Sequence, residues 1–153
     1  TKHMNLKIIR ANKNHIEGVS VLFDLYRQFY KYQKDLNNSK NYIYKRIVNN
    51  ESIIYICTKN EKIIAFVQLY ETFDSLNLNK KLVLYDLYVL EKYRKLGIGR
   101  KLMNKSKDFA LNNNFSRIEL STSMDNYNAQ KLYESLDYIR DKEYYDYGLE
   151  VLE

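Results

Sequence analysis

A strand that leads through a glycine pair into a helix is the feature that most constrains this chain. Apolar residues are dense from Leu82 to Val89 and predict a buried strand. Two glycines, Gly97 and Gly99, follow, and apolar side chains then recur at helical spacing as far as Phe109. The first N–H groups of a helix lack partners within the helix, and the helix dipole favours anions there. This junction can therefore hold phosphate groups.

Positive charge surrounds the same junction. Arg94, Lys95, Arg100 and Lys101 lie within a few residues of the two glycines. Two familiar phosphate motifs are excluded. A dinucleotide fingerprint needs a third glycine, and a P-loop needs four residues between its glycines and then Lys followed by Ser or Thr. The junction therefore predicts a site for a di- or polyphosphate of another class.

A second informative segment covers residues 116–138. Apolar and polar residues alternate from Arg117 to Ser121 and predict a strand. Asn126 is a residue type favoured at helix starts, and apolar residues then follow at helical spacing from Ala129 to Leu136. The segment therefore predicts a strand followed by a helix.

These two segments resemble the paired signatures of the GNAT superfamily of N-acetyltransferases. Residues 94–99, Arg-Lys-Leu-Gly-Ile-Gly, resemble its acyl-coenzyme A signature, Arg/Gln-x-x-Gly-x-Gly/Ala. Residues 126–138 resemble its second signature, Asn-x-x-Ala-x-x-Leu-Tyr-Glu-x-x-Gly-Phe/Tyr, and depart from it at Asp137, where the family usually has glycine. Lys95 and Leu96 also replace the family's more frequent pair, glycine followed by Arg or Lys. Because the signatures are correctly ordered and spaced, the resemblance covers nearly the whole chain.

The resemblance implies a fold and a donor site. The fold is α/β (α+β): a GNAT fold with a mixed, mostly antiparallel sheet that is splayed at the acyl-coenzyme A site and flanked by helices. The splay would separate the strand at Leu82–Val89 from the strand at Arg117–Ser121, with the pantetheine arm of acetyl-coenzyme A between them. For Asn126, helix capping is an equally good explanation. The implied coenzyme-binding residues are Leu87, Tyr88, Val89, Arg94, Lys95, Leu96, Gly97, Ile98, Gly99, Arg100, Asn126 and Tyr133.

Periodicity and turn residues predict the remaining elements. In chain order, they predict a strand at Leu6–Arg10, helices at His15–Tyr32 and Asn41–Asn49, strands at Ser52–Lys59 and Ile63–Tyr70, and closing strands at Tyr138–Lys142 and Tyr144–Glu150.

Composition agrees with one globular domain. The 153 residues are 45% hydrophobic, which is enough to bury a core, and we expect one domain over residues 4–153. Thr1–His3 are interpreted as an expression-tag remnant. No apolar run approaches a membrane span, and no secretory signal is recognisable. Cys57 is the only cysteine and lies in an apolar run, so we expect it to be a buried hydrophobic residue in a cytoplasmic protein.

The implied reaction is direct attack by a neutral amine on the acetyl thioester, without an acyl-enzyme. Tyr133 matches the family tyrosine that serves as the general acid. A phenol of pKa about 10 is a weak acid for a thiolate whose conjugate thiol has a pKa of about 8.5, so we expect it to donate a hydrogen bond to the leaving sulfur. Packing within its helix is the alternative role for Tyr133.

The general base is not assigned by the resemblance. Polyamine-type members have a glutamate where this chain has Tyr85. Asp86 faces the opposite side if the strand alternates strictly, although a bulge would change that parity. Water is therefore the expected proton relay.

The acceptor is expected to be an amine of a small molecule or peptide. Aromatic rings beside carboxylates suit a cationic amine through cation–π contacts and charge pairing, and solvated surface side chains are the alternative. The first helix contributes Tyr26, Phe29 and Tyr30 to this expectation, and the segment at residues 70–75, which we expect to be a loop, also contributes Asp74. The candidate substrate residues are Tyr30, Glu71, Phe73 and Tyr85.

The sequence leaves two other function classes open. A net charge of +6 and many tyrosines are compatible with nucleic-acid binding, although the basic residues concentrate at the glycine junction, where coenzyme phosphates explain them. A GNAT-fold sensor that binds acyl-coenzyme A without turnover is the other alternative. No membrane partner and no metal site are expected. The aromatic and charged closing segment at residues 141–147 predicts a homodimer.

Overall fold

The computed structural model describes residues 5–152, and the predicted tag remnant lies outside this range. Two compact units form, one up to Ser121 and the other from Thr122 onward. The first unit contains one sheet with strand order β1-β2-β3-β4-β5, in which β1 to β4 pair antiparallel and β5 is parallel to β4. The strands are β1 (Leu6–Arg10), β2 (Ile53–Lys59), β3 (Lys62–Asp74), β4 (Asn79–Val89) and β5 (Ile118–Glu119). The helices of this unit are α1 (Ile16–Phe29), α2 (Leu36–Val48) and α3 (Ile98–Asn112).

Both faces of the sheet are covered. On one face, Val19 and Phe23 of α1 and Ile43 of α2 pack against Ile56 and Phe66. On the other face, α3 buries its apolar stripe, and its Phe109 ring lies 6.3 Å from that of Tyr55. Because consecutive strand residues point to opposite faces, β2 is buried through almost its whole length.

A buried carboxylate fixes the turn between α1 and α2. Asp24 accepts hydrogen bonds from Gln28 Nε2 (2.9 Å), from the Asp35 backbone N–H (3.0 Å) and from Ser39 Oγ (2.8 Å). These bonds compensate the burial of a charged group. They also fix the end of α1, which carries Tyr26 and Tyr30.

Several predicted boundaries differ from the structure by one to three residues, and two differ by more. Helix α2 begins at Leu36 rather than Asn41, because Asp35 caps it by accepting a hydrogen bond from the Asn38 N–H. Strand β3 continues to Asp74, so Glu71 and Phe73 lie in a strand and not in a loop. Glu71, Thr72 and Phe73 are exposed in this part of β3, so a pattern of buried apolar residues does not mark it as a strand.

The second unit contains α4 (Tyr127–Ser135). Its end is closed by bonds from the Asp137 N–H to the Glu134 carbonyl (3.1 Å) and from the Tyr138 N–H to the Tyr133 carbonyl (3.0 Å). Asp137 has a φ of 69°, the left-handed conformation expected for the family's glycine.

The two predicted closing strands are not found. Residues 138–152 form no strand in the described part of the chain, and the apolar side chains between Ile139 and Leu152 are largely exposed. A segment of alternating aromatic and polar residues forms a strand only when a neighbouring strand pairs with that segment. Here no such pairing is made, so the pattern was misleading.

Candidate active site

The candidate site is built around a bulge in β4. Gln68 pairs with Asp86, whereas the next residue of β3, Leu69, pairs with Leu84. Tyr85 is therefore an extra residue in β4. Before the bulge, Leu84 shares a face with Leu69; after it, Asp86 shares the opposite face with Gln68. The bulge thus turns Asp86 towards α1, where strict alternation would have pointed it towards α3.

Asp86 is a buried carboxylate at the end of a short hydrogen-bond chain. Its side chain is 3% exposed. Gln68 Nε2 donates to Asp86 Oδ2 over 2.6 Å, and Ser52 Oγ donates to Gln68 Oε1 over 2.7 Å. Burial raises the pKa of Asp86 to about 6, against the opposing effect of hydrogen bonds from Gln68 and Tyr26. Asp86 can therefore gain or lose a proton near neutral pH.

Four tyrosines, here called the tyrosine cluster, surround this carboxylate: Tyr26, Tyr30, Tyr70 and Tyr85. Burial raises the pKa of Tyr26, Tyr30 and Tyr70, and the Asp86 charge raises all three further. The Tyr70 and Tyr85 rings meet edge to face with centroids 5.6 Å apart, as do those of Tyr26 and Tyr30 at 5.1 Å. Aromatic faces around a carboxylate form a suitable environment for an organic cation.

A shallow cavity of about 250 Å³ continues from Tyr70 and is lined by Arg46, Glu51 and Tyr70. The Tyr70 hydroxyl is 2.7 Å from that of Tyr42, and the Arg46 guanidinium lies 4.2 Å from the centre of the Tyr42 ring. Arg46 Nε also donates to Glu51 over 3.0 Å. Tyr70 therefore links the tyrosine cluster to a charge-balanced cavity wall.

The predicted phosphate junction has the expected backbone. Gly97 adopts a φ of 81° immediately before α3, and the helix start has no side-chain cap and no acidic residue in its first turn. A Cβ at Gly97 would meet no other protein atom within 4 Å. The glycine is thus required by its backbone conformation and leaves open space in front of the helix N-terminus, which suits close approach of an anion.

Arg94 is anchored beside this junction. Its Nε donates to the Val89 carbonyl over 2.8 Å, and its guanidinium lies 5.3 Å from the centre of the Tyr88 ring. Lys95 follows with a φ of 65°, so two residues of the turn are left-handed. The turn therefore presents positive charge and backbone N–H groups together.

The end of β4 has no partner strand on one side within the described part of the first unit. Leu87, Tyr88 and Val89 pair with β3, while β5 pairs with β4 only at Leu82 and Val83 within residues 5–152. Apart from the Val89 carbonyl, which accepts the hydrogen bond from Arg94, backbone groups along this edge of Leu87–Val89 can therefore bond to a ligand, as the predicted splay requires. The remaining junction residues, Leu96, Ile98, Gly99 and Arg100, lie in the turn or the first turn of α3.

The second unit carries two predicted site residues. Asn126 Oδ1 accepts a hydrogen bond from the Ala129 N–H over 3.2 Å and caps α4, so the capping role is present. Tyr133 lies in the last turns of α4, with its ring centroid 6.2 Å from that of Tyr138. This ring contact accompanies the two hydrogen bonds that end the helix.

The predicted substrate residues separate into two groups. Tyr30 and Tyr85 belong to the tyrosine cluster around Asp86. Glu71 forms an ion pair with Lys80 (3.6 Å) in the β3–β4 hairpin, and Phe73 is 78% exposed.

Sequence reasoning missed Gln68 and Ser52. Gln68 is the lone polar residue in the apolar run from Ile63 to Leu69, and that isolation could have indicated a buried polar partner in the adjacent strand.

In the part of the chain that the structure describes, no helix is long and apolar enough to cross a membrane. The same residues contain no group of three or more side chains suited to hold a metal ion.

Comparison with known proteins identifies acetyltransferases as relatives of this chain. Residues 19–138 match the acetyltransferase (GNAT) family. The chain is 34% identical to the uncharacterized N-acetyltransferase YhfO of Bacillus subtilis (strain 168) over 146 residues, which cover 95% of this chain and 98% of that protein. A crystal structure of "a probable acetyltransferase" is 34% identical with a TM-score of 0.90, over 96% of this chain and 99% of that one. An aminoglycoside N-acetyltransferase in complex with CoA shares the fold, with 16% identity, a TM-score of 0.83 and 98% of both chains covered.

Proposed function

The chain belongs to the acetyltransferase (GNAT) family, and from this premise we propose that it transfers an acetyl group from acetyl-coenzyme A to a primary amine of a small molecule or peptide. Family membership confirms the predicted fold and the predicted enzyme class. It does not favour the sensor and nucleic-acid alternatives. To the family assignment we add a donor site, an acceptor site and a role for Tyr133 at the leaving sulfur.

The donor site is supported by the backbone of the glycine junction. The uncapped start of α3 and the left-handed Gly97 offer N–H groups to a pyrophosphate, and Arg94, Lys95 and Arg100 add positive charge. The unpaired edge of β4 at Leu87–Val89 offers main-chain groups to a pantetheine arm. These residues fit acetyl-coenzyme A, which supplies an activated acetyl thioester when bound.

The acceptor site is supported by one observation above all: a buried carboxylate enclosed by the tyrosine cluster. A buried carboxylate is costly unless it is paired or hydrogen-bonded, and an ammonium group can pair with Asp86. Tyrosine rings bind the same cation through their faces. A cationic primary amine therefore matches both the charge and the aromatic lining of this site.

Tyr133 is proposed as the group that donates a hydrogen bond to the leaving sulfur. This assignment depends on its match to the family signature, since Tyr133 follows Asn126 and Ala129 at the family's spacing. Its phenol does not need to transfer its proton fully, because a thiolate is a tolerable leaving group.

Turnover with a panel of amines tests the proposal. Purified protein would be incubated with acetyl-coenzyme A and di- and polyamines, amino acids with side-chain amines, aminoglycosides and peptide N-termini. Release of free thiol would be followed, and the acetylated product would be identified by mass. We expect amine-dependent thiol release with at least one cationic amine. Coenzyme binding by calorimetry without amine-dependent release would contradict the proposal and support the sensor alternative.

A further inference from the structure

Neither packing nor folding requires a carboxylate at the buried position of Asp86. The groups that act on it by hydrogen bonding are neutral: the Gln68 amide and the Tyr26 hydroxyl. Burial of a carboxylate among neutral groups disfavours its charged form, and groups with such shifted proton affinity concentrate at functional sites. Leu84, two residues earlier, shows that β4 can bury an apolar side chain close by.

The hydrogen-bond chain behind Asp86 has a defined direction. A glutamine amide can present either its NH₂ or its oxygen to a neighbour. The Ser52 hydroxyl donates to Gln68 Oε1, which leaves Nε2 to donate to Asp86. Without the Ser52 hydroxyl, the amide could turn and place an oxygen against the carboxylate, which would repel its charge.

We propose that Asp86 accepts the proton that the acceptor ammonium releases, and that Ser52 and Gln68 are positioning residues that hold the Asp86 carboxylate ready for this step. The inference rests on the proposed function, and it replaces the water relay expected from sequence. Asp86 reaches the α1 face only because of the bulge at Tyr85.

The step balances without a further reactant. The ammonium N–H bond breaks, its proton forms an O–H bond with the Asp86 carboxylate, and the nitrogen keeps the electron pair. That pair forms the C–N bond to the acetyl carbon, the C–S bond breaks, and the sulfur leaves with its electron pair. The nitrogen, which now carries a positive charge, gives its surplus proton through water to the thiolate, so that a neutral amide and a free thiol result. Water then takes the proton from Asp86 and restores the carboxylate.

The surroundings suit a base that works near neutral pH. The titratable groups facing Asp86 are Tyr26 and Tyr30 from α1 and its end, Tyr70 from β3 and Tyr85 from β4. The raised pKa values of Tyr26, Tyr30 and Tyr70 keep these phenols neutral at pH 7, so they do not hold Asp86 in one charge state. A pKa of about 6 leaves the carboxylate ionised at pH 7 and still basic enough to take a proton.

The positioning role can be tested without turnover. Carbon-detected NMR of labelled protein would follow the Asp86 carboxyl titration, assigned with Asp86→Asn. Loss of the Gln68 donor in Gln68→Met should raise the Asp86 midpoint by about 1 unit. Ser52→Ala should raise it by a smaller amount, and Ser52→Thr, which keeps the hydroxyl, should restore it. Ser106→Ala is the matched control, because Ser106 is also buried but donates to the Leu102 carbonyl in α3.

The proton-accepting role is tested by the pH dependence of kcat/KM for the amine at saturating donor, which reports the ionisation of the enzyme before the amine binds. The wild type should lose activity below about pH 6, the acid limb expected of a base with the Asp86 pKa. Asp86→Asn should lower turnover at pH 7 by about 10²–10⁴-fold and abolish this limb. Ser52→Ala should move the limb upward by the same amount as its carboxyl titration, whereas a merely structural role would change the rate or stability and leave the limb in place.

Each experimental result tests one part of the proposal. An acid limb that persists in Asp86→Asn would overturn the proton-accepting role, with the acetyltransferase function still standing. An Asp86 midpoint unchanged in folded Ser52→Ala and Gln68→Met would overturn the positioning role. Absence of turnover with every amine would remove the proposed function and, with it, the proton-accepting role, while the carboxyl titration would still decide the roles of Ser52 and Gln68.

Discussion

The hydroxyl of Tyr26 donates a hydrogen bond to the main-chain carbonyl of Tyr85 over 3.0 Å, which joins α1 to the bulge in β4. A bulge interrupts the ladder of the strands and leaves backbone groups to find other partners. Here a side chain from another element supplies that partner. The same hydroxyl also acts on Asp86 and opposes the rise in the pKa of that buried carboxyl, so one side chain contacts both the bulge and the carboxylate.

Replacement of Asp86 by asparagine should stabilise the fold at neutral pH. Burial raises the Asp86 pKa from 3.8 to about 6, so the folded chain binds a proton more tightly than the unfolded chain. Below pH 3.8 the carboxyl is protonated in both states, and above pH 6 it is charged in both. The ionised group therefore destabilises the fold by about 3 kcal/mol at pH 7. Urea unfolding should show Asp86→Asn more stable by up to this amount at pH 7, with the advantage shrinking as the pH falls from 6 to 4.

Asp74→Asn is a control of opposite sign. Hydrogen bonds from Asn77 and Ser116 lower the pKa of Asp74, so its charged form supports the fold. Asp74→Asn should therefore be less stable than the wild type at pH 7, and this deficit should shrink in acid. An Asp86→Asn protein no more stable than the wild type at pH 7 would contradict the assigned environment of Asp86.

Gly97→Val should abolish measurable coenzyme A binding. Valine is disfavoured at the φ of 81°, and its branched side chain would fill the open space before α3, where we propose that the pyrophosphate approaches. Calorimetry with coenzyme A would measure the loss, and circular dichroism would verify folding. Gly148→Val is the control, since a Cβ there also meets open space but no left-handed φ is required. Undiminished affinity in folded Gly97→Val would remove the donor site from this turn.

Local patterns were sufficient to predict the elements around the donor site. The glycine junction, the helix after it and the cap at Asn126 each depend on residues close in sequence, and all three are found. Asp137, where the family usually has glycine, adopts the left-handed conformation that glycine would take there. Such features are local because backbone conformation and helix periodicity are set within a few residues.

The acceptor site was harder to predict from the sequence, because it depends on the register between β3 and β4. A single extra residue in β4 decides which face Asp86 occupies, and the sequence indicates only that a bulge is possible there. The Ser52–Gln68–Asp86 chain joins three strand regions that lie far apart in sequence. The prediction of two closing strands was wrong for a related reason. A strand needs a neighbouring strand to pair with, and alternation in the sequence does not supply one.

Asp137→Gly should stabilise the second unit. Asp137 has a left-handed φ of 69° at the position after the α4 cap, where glycine avoids the steric cost of a Cβ. The gain should be about 0.5–1 kcal/mol, because the greater freedom of glycine in the unfolded chain offsets part of the relief. Thermal unfolding monitored through α4 would measure the gain. Asp137→Ala, which keeps a Cβ and loses the polar side chain, should not stabilise, and equal stabilisation by both changes would contradict the conformational explanation.

The closing segment is proposed to pair with a second copy of the chain. Tyr145, Tyr147 and Leu149 are each more than 85% exposed, and such a run of apolar side chains favours association. Light scattering at micromolar concentration should give the mass of a homodimer. The double change Leu149→Lys and Val151→Lys should shift this mass towards the monomer, whereas Leu76→Lys in the β3–β4 turn should not. A monomeric wild type would contradict the proposal.

Tyr133→Phe should separate catalysis from packing. The ring of Tyr133 contacts that of Tyr138 at the end of α4, and phenylalanine keeps this contact while removing only the hydroxyl. If the hydroxyl stabilises the leaving sulfur, turnover should fall by about 10²–10⁴-fold with coenzyme affinity little changed, and a loss of about tenfold would mean that water can substitute for the phenol. Tyr127→Phe, in the exposed first turn of the same helix, is the matched control and should retain the parent rate. Turnover of an accepted amine by Tyr133→Phe at the parent rate, with saturating donor and chemistry rate-limiting, would show that Tyr133 only packs.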